Sequence, residues 1–197
     1  VRYCIIDQAA TSTIHNAVPV QIPLGSEEDF AGVIDLVRLK AYRYHDESLG
    51  AEYHEEDIPQ DYRAEVEEYR ERLIEAVAET SEELLERYLA EGSLDEEQML
   101  AGLREGTISG RLVPVLCGSA FKNKGVQPLL DAVVDYLPSP IDVPPIEGFV
   151  PEGGKGSNIR RADDNEPFAA LVFKIMTDSF VGQLAFIRIY SGSVATG

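Results

Sequence analysis

The stretch LVPVLCGSAFKNKGVQPLLDAVVDYL, residues 112–137, decides the fold. Its first five residues, Leu112 to Leu116, form an unbroken apolar run of the kind that fills a buried strand of a parallel sheet. Small residues follow at once: Gly118, Ser119 and Ala120. Beyond Gly125 the period changes, and Val126, Leu129, Leu130, Val133, Val134 and Leu137 make one strongly apolar helix face. Strand, small-residue loop and helix together are half a unit of a parallel α/β sheet. Ligands of such sheets sit beyond the carboxyl ends of the strands, which is where Gly118 to Lys122 fall. Pro114 removes a ladder donor, so the strand belongs at a sheet edge.

Upstream of this unit the chain is helical and acidic. Tyr62, Val66, Tyr69, Leu73 and Val77 recur at steps of three and four, predicting an amphipathic helix, with Glu65, Glu68, Arg72, Glu75 and Glu79 on its polar side. Glu68 and Arg72 are spaced for a favourable pair. Thr80 with Glu83, and Ser93 with Glu96, read as capping boxes opening helices over Ser81–Glu91 and Leu94–Glu105, with Gly92 between them. Further upstream, Val18 to Leu24 alternates as an edge strand containing Pro19 and Pro23, and Gly32 to Tyr42 reads as a second strand around Asp35. Tyr44 to Pro59 is turn-rich and acidic. Downstream, Pro138, Pro140, Pro144 and Pro145 predict a stiff connector and Gly153 to Asn165 a loose polar one. Phe168 to Val194 holds two strand-like runs joined at Thr177 to Val181, too few to close a barrel or sandwich alone.

Composition narrows the function. The 197 residues carry 17 Lys and Arg against 35 Asp and Glu, a formal charge of −18 at pH 7. A phosphate backbone is recognised by clustered basic residues, so no direct nucleic-acid site is expected here, and a partner recruited by charge should be basic. No apolar run is long enough to span a bilayer, and no signal peptide opens the chain, which predicts a soluble cytoplasmic protein without a membrane role. Of the two cysteines, Cys117 lies in an apolar run and is expected as a buried reduced thiol.

The string Gly118 to Gln127 (GSAFKNKGVQ), followed by LLDAVVDYLPSP, resembles bacterial elongation factor G, a translational GTPase. VPVQIPLGSEEDFAGVIDLVRLKAY, from Val18, is similar to the opening of that family's insert in its GTPase domain. EPFAALVFKIMTDSFVGQLAFIRIYSG, from Glu166, is similar to the start of its second, β-barrel domain. The resemblance implies an α/β internal piece: 16–110 the insert subdomain, 111–137 the last strand, guanine loop and helix of the GTPase domain, 138–165 a linker, and 166–197 the first barrel strands. Residues 1–15 match nothing in it and stay unassigned. The phosphate-cradling Gly-rich loop, the Asp-x-x-Gly loop and the Asn-Lys-x-Asp motif are missing from these residues. The resemblance therefore implies GTP or GDP with magnesium in a full parent, and a piece that alone neither binds a cofactor nor hydrolyses GTP.

The resemblance also implies which residues matter. Gly118, Ser119, Ala120 and Phe121 are the guanine-contacting loop, with the backbone N–H near Ala120 meeting the guanine O6. A carbonyl acceptor must be approached closely by main chain, so small residues keep the approach open. Lys124 lies past the base-reading turn, and its substitution is expected to cost less. The acidic insert, represented by Glu65, Glu68, Arg72 and Glu75, is the surface for the stalk protein of the ribosome. Without the family, the loop is an ordinary strand-to-helix turn and the acidic face a solvated one.

No metal site and no catalytic residue are expected. The two groups His45-Asp46-Glu47 and His54-Glu55-Glu56-Asp57 lack a helical i, i+4 His pair, and nothing in the sequence fixes them together. Cys117 has no evident base, and its apolar strand should raise its pKa. Two alternatives stay open: a non-catalytic interaction module, or a piece of a related ribosome-protection or release GTPase.

Overall fold

The computed structural model describes residues 16–149, 157–180 and 182–196. The unassigned residues 1–15, with Cys4, and part of the polar connector lie outside the described residues. The chain divides into two compact units, Val1–Leu137 and Pro138–Gly197.

In the first unit, strand β1 (Ala17–Pro19) lies parallel to β6 (Val113–Val115), with Val18 opposite Pro114. Strand β2 (Gln21–Leu24) belongs to a different sheet, at the edge of four antiparallel strands. The run read as one edge strand is thus two. Val20 joins them: its N–H donates to the Val115 carbonyl and its own carbonyl accepts from Leu36, both at 3.0 Å. Alternation reports which side chains face inward, not whose backbone supplies the ladder, so the switch is silent in the pattern.

The run Gly32 to Tyr42 is not one strand but a hairpin of β3 (Gly32–Asp35) and β4 (Lys40–Tyr44). Asp35 makes the turn. Its Oδ1 accepts from the N–H groups of Val37 and Arg38, both at 2.8 Å, while Leu39 takes a left-handed φ of 56°. Burial pushes the Asp35 carboxyl above its ordinary range, opposed by those two N–H groups and by the Arg38 guanidinium at 3.5 Å. The acidic stretch after Tyr44 also carries a strand, β5 (Tyr53–Glu56), paired antiparallel with β4. Tyr53 packs against the rings of Tyr42 and Tyr44, and Arg43 pairs with Glu56 at 2.8 Å.

Helices α1 (Arg63–Ala78), α2 (Glu82–Glu91) and α3 (Glu96–Ile108) follow. The α1 stripe is buried through Val66, Leu73 and Val77 and half-buried at Tyr62 and Tyr69. With Ile22, Leu36, Met99, Leu103 and Leu112, these side chains form the core. Both N-caps sit further along than the spacing suggests. Ser81, not Thr80, caps α2 by accepting from Leu84. Thr80 is buried, its hydroxyl donating to the Val77 carbonyl at 2.7 Å. Asp95, not Ser93, caps α3 in a reciprocal box with Gln98.

Two expectations for the 112–137 unit are corrected. β6 is not a buried strand: it is three residues long, Val113 is exposed, and among the described residues it pairs only with β1. Helix α4 (Val126–Tyr136) buries Pro128, Ala132 and Tyr136, whereas the apolar face read from the sequence points outward, with Val134 76% exposed. The helix is apolar on most sides, and its moment cannot say which side meets cover. Arg104 fixes the inward face by donating to the carbonyls of Asp135 and Leu137 at the helix end, at 3.0 and 3.2 Å.

In the second unit, β7 (Ile146–Phe149) and β8 (Ser157–Arg160) form an antiparallel pair, so the expected linker carries strands. β9 (Ala169–Asp178) and β10 (Gly182–Ser191) form a long hairpin with Phe173, Ile175 and Phe186 exposed. The fold class is α/β, with a parallel pair, antiparallel sheets and the opening strands of a β domain. Among the described residues no helix is long and apolar enough to cross a membrane.

Candidate functional site

The loop between β6 and α4 is closed by a two-way backbone bridge. Ser119 N–H donates to the Lys124 carbonyl at 2.8 Å, and Lys124 N–H donates back to the Ser119 carbonyl at 3.0 Å. Inside it, Lys122 N–H donates to the Ser119 carbonyl and Asn123 N–H to the Ala120 carbonyl, with Asn123 at a left-handed φ of 54°. The ends of the loop touch. A Cβ on Gly118 would stand 2.8 Å from the Lys124 carbonyl oxygen, and one on Gly125, whose φ is 88°, 2.9 Å from that of Cys117. Glycine at both places is a requirement of this closure.

The closure separates the four candidate residues. Gly118 and the buried Ser119 build the loop, while Ala120 is exposed and Phe121 is 91% exposed at the tip. Among the described residues, none of the loop's hydrogen bonds uses the N–H of Ala120 or Phe121. The tip therefore offers main-chain donors with little side chain in front of Ala120, an arrangement suited to a carbonyl acceptor on a flat ring. Cys117, just before the loop, is a half-buried free thiol whose pKa is pushed up to about 12 by burial, which disfavours the thiolate.

Residues beyond the tip make long-range contacts that the sequence did not signal. Lys122, Asn123, Lys124 and Gln127 reach across to carbonyls of two loops that connect strands of the β2–β5 sheet, 74 to 94 residues away in the chain. Lys124, past the turn read as base-contacting, is only 4% exposed. No local pattern reveals a partner at such separation.

Glu65, Glu68, Arg72 and Glu75 all lie on the exposed side of α1. Arg72 is bound within that face, pairing with Glu68 at 2.6 Å and lying 5.8 Å from the centre of the Tyr69 ring, whereas Glu65 and Glu75 form no ion pair among the described residues. The two histidine groups are fixed together after all, because β5 pairs with β4. His54 Nδ1 is 3.2 Å from His45 Nε2, and His54 Nε2 is 3.2 Å from Glu56. Even so, no three His, Cys, Asp or Glu among the described residues are grouped to hold a metal ion. A cavity of about 210 Å³ between the sheet and α4 includes Gln21, Asp35, Arg38 and Asp135 in its wall but no residue of the loop.

Comparison with known proteins bears on this geometry. Residues 58–139, which include the whole loop and α4, match the family model described as the Elongation factor Tu GTP binding domain. A crystal structure of a protein from Thermus thermophilus is similar over 94% of this chain, at 32% identity and a TM-score of 0.69. This chain spans 24% of that protein's length. The first match relates residues 58–139 to a GTP-binding domain, and the second shows a shared fold over most of this chain.

Proposed function

We propose that this chain is part of a ribosome-dependent GTPase of the elongation factor G type, which promotes translocation in the cytoplasm. Within it, Gly118, Ser119, Ala120 and Phe121 form the guanine-contacting loop, and Glu65, Glu68, Arg72 and Glu75 the face for the ribosomal stalk protein. One observation carries the reading: a bridged loop of small residues at the carboxyl end of β6 presents an unused Ala120 N–H, inside the segment that matches a GTP-binding domain. Phosphate and magnesium chemistry, with GTP or GDP as the bound nucleotide, belongs to motifs outside these residues, and positioning plus electrostatic stabilisation would supply most of the rate there.

The open acidic charges on α1 suit a basic partner. Charges at the rim of an interface mainly set the association rate and its salt dependence. Reversing Glu65, Glu68 and Glu75 to Lys in the full-length protein is therefore expected to slow stalk-dependent association with ribosomes more than it speeds dissociation. The loss should shrink above physiological ionic strength, where the screening length is about 8 Å or shorter. Because these side chains face away from the α1 stripe, circular dichroism should not change. Stopped-flow binding and GTP hydrolysis, with and without the stalk protein, check both halves of the proposal. A full-length protein whose GTP hydrolysis ribosomes do not stimulate would remove the GTPase reading. An unchanged stalk-dependent rate at low salt would leave the α1 face as solvated surface only.

A further inference from the structure

We propose that Lys124, together with Gln127, positions the base-contacting loop by fastening it to the β2–β5 sheet, which thereby becomes part of the scaffold of the nucleotide site. This rests on Ala120 being the base contact. The second half of the Gly118–Gln127 string is then a latch rather than an extension of the base-reading turn.

The contacts are specific. Lys124 Nζ donates to the Phe30 carbonyl at 3.0 Å and Lys122 Nζ to the Glu28 carbonyl at 2.9 Å. Asn123 Nδ2 donates to the Leu49 carbonyl at 3.2 Å and Gln127 Nε2 to the Gly50 carbonyl at 3.0 Å. Tyr44 closes the set, its hydroxyl donating to Gln127 Oε1 at 3.1 Å. Four donors from one short segment thus end on main-chain carbonyls of two loops, one before β3 and one between β4 and β5. Main-chain acceptors cannot swing away as side chains do, so the set fixes position as well as attraction. The approach is close: a Cβ on Gly50 would stand 2.7 Å from the carbonyl oxygens of both Lys122 and Asn123.

Lys124 is the member that ties latch to tip. Its backbone makes both bonds of the bridge to Ser119, the residue before Ala120, while its ammonium is held by the loop that leads into β3. A buried ammonium must keep its acceptors, because leaving one unpaired is costly. A shift of the sheet relative to the loop therefore moves the Ser119 bridge and, with it, the Ala120 N–H. Whatever binds the sheet and shifts it would change guanine affinity, and guanine nucleotide would change that binding by the same factor.

The test uses full-length protein and fluorescent GDP and ADP, reading affinity, dissociation rate and the fraction of protein competent to bind. Lys124→Met removes the donor at similar length. Its GDP affinity is expected to fall roughly tenfold or more, the scale of a lost hydrogen bond to a charged group. The loss should appear in the dissociation rate, with the GDP-over-ADP preference falling by a similar factor and the competent fraction unchanged. Tyr44→Phe, which removes one hydroxyl on the sheet side, should weaken GDP by roughly threefold and lose that effect in a Gln127→Met background. It decides the matter should Lys124→Met fail to fold. Ala120→Val serves as the reference. If Ala120→Val weakens GDP while the latch variants bind it normally, the latch is overturned and the base reading stands. If Ala120→Val has no effect, the base reading falls and the latch with it. A lower competent fraction at unchanged affinity would show these bonds to be structural only, which also overturns the proposal.

Discussion

Leu73→Ala is expected to destabilise the first unit by about 2–5 kcal/mol, the range for truncating a fully buried leucine. Leu73 has no exposed surface and sits where α1 meets the sheet and α3, in one core with Val77, Met99, Leu103 and Leu112. Several elements converge on this position, so it cannot collapse around the missing atoms without moving a helix, and the upper half of the range is favoured. Glu71→Ala, two residues earlier on the exposed side of α1, is the matched control and should change stability by about 0.5 kcal/mol or less. Urea denaturation measures both, and a lower midpoint at constant slope is the signature of lost native stability. A cost near that of the control would mean that α1 is not docked as described.

What the sequence disclosed, and what it withheld, follows from the range of the interactions involved. The α1 stripe was legible because a helix repeats its buried face every three or four residues, and Leu73 and Val77 fell where the period put them. The parallel strand–loop–helix unit was legible for a similar reason. The β3–β4 hairpin was not, because its turn is made by the Asp35 carboxylate taking two backbone N–H groups, so no Gly or Pro marks it. The outward face of α4 was misjudged because its moment measures asymmetry in the helix, not the position of its neighbours. In the candidate site, the small residues Gly118, Ser119 and Ala120 announced a close approach of main chain. Which of them approach each other, and which face outward, depended on the bridge to Lys124. The anchors of Lys122, Asn123, Lys124 and Gln127 were invisible, since each acceptor is a carbonyl more than 70 residues away that any side chain could accompany.

Ala120→Val is expected to weaken guanine-nucleotide binding by about 1–3 kcal/mol through a lost or strained main-chain contact, a factor of roughly 5 to 150 in affinity. Valine adds a branched Cβ beside an N–H that the loop leaves unused, and restricts χ1 so that the bulk cannot rotate clear. Ala120 is exposed, so the folded protein should tolerate the change, and the loss should appear without a drop in thermal stability. Adenine offers an amino group where guanine offers a carbonyl, so a contact from a main-chain N–H should be worth nothing to an adenine nucleotide.

The most direct measurement of the central claim is the GDP and ADP affinity of full-length protein with Ala or Val at position 120, by titration with fluorescent nucleotides. The reading of Gly118 to Phe121 as the guanine-contacting loop predicts that Ala120→Val loses GDP affinity by roughly 5- to 150-fold and leaves the weak ADP affinity where it was. GDP bound equally well by both proteins would contradict it.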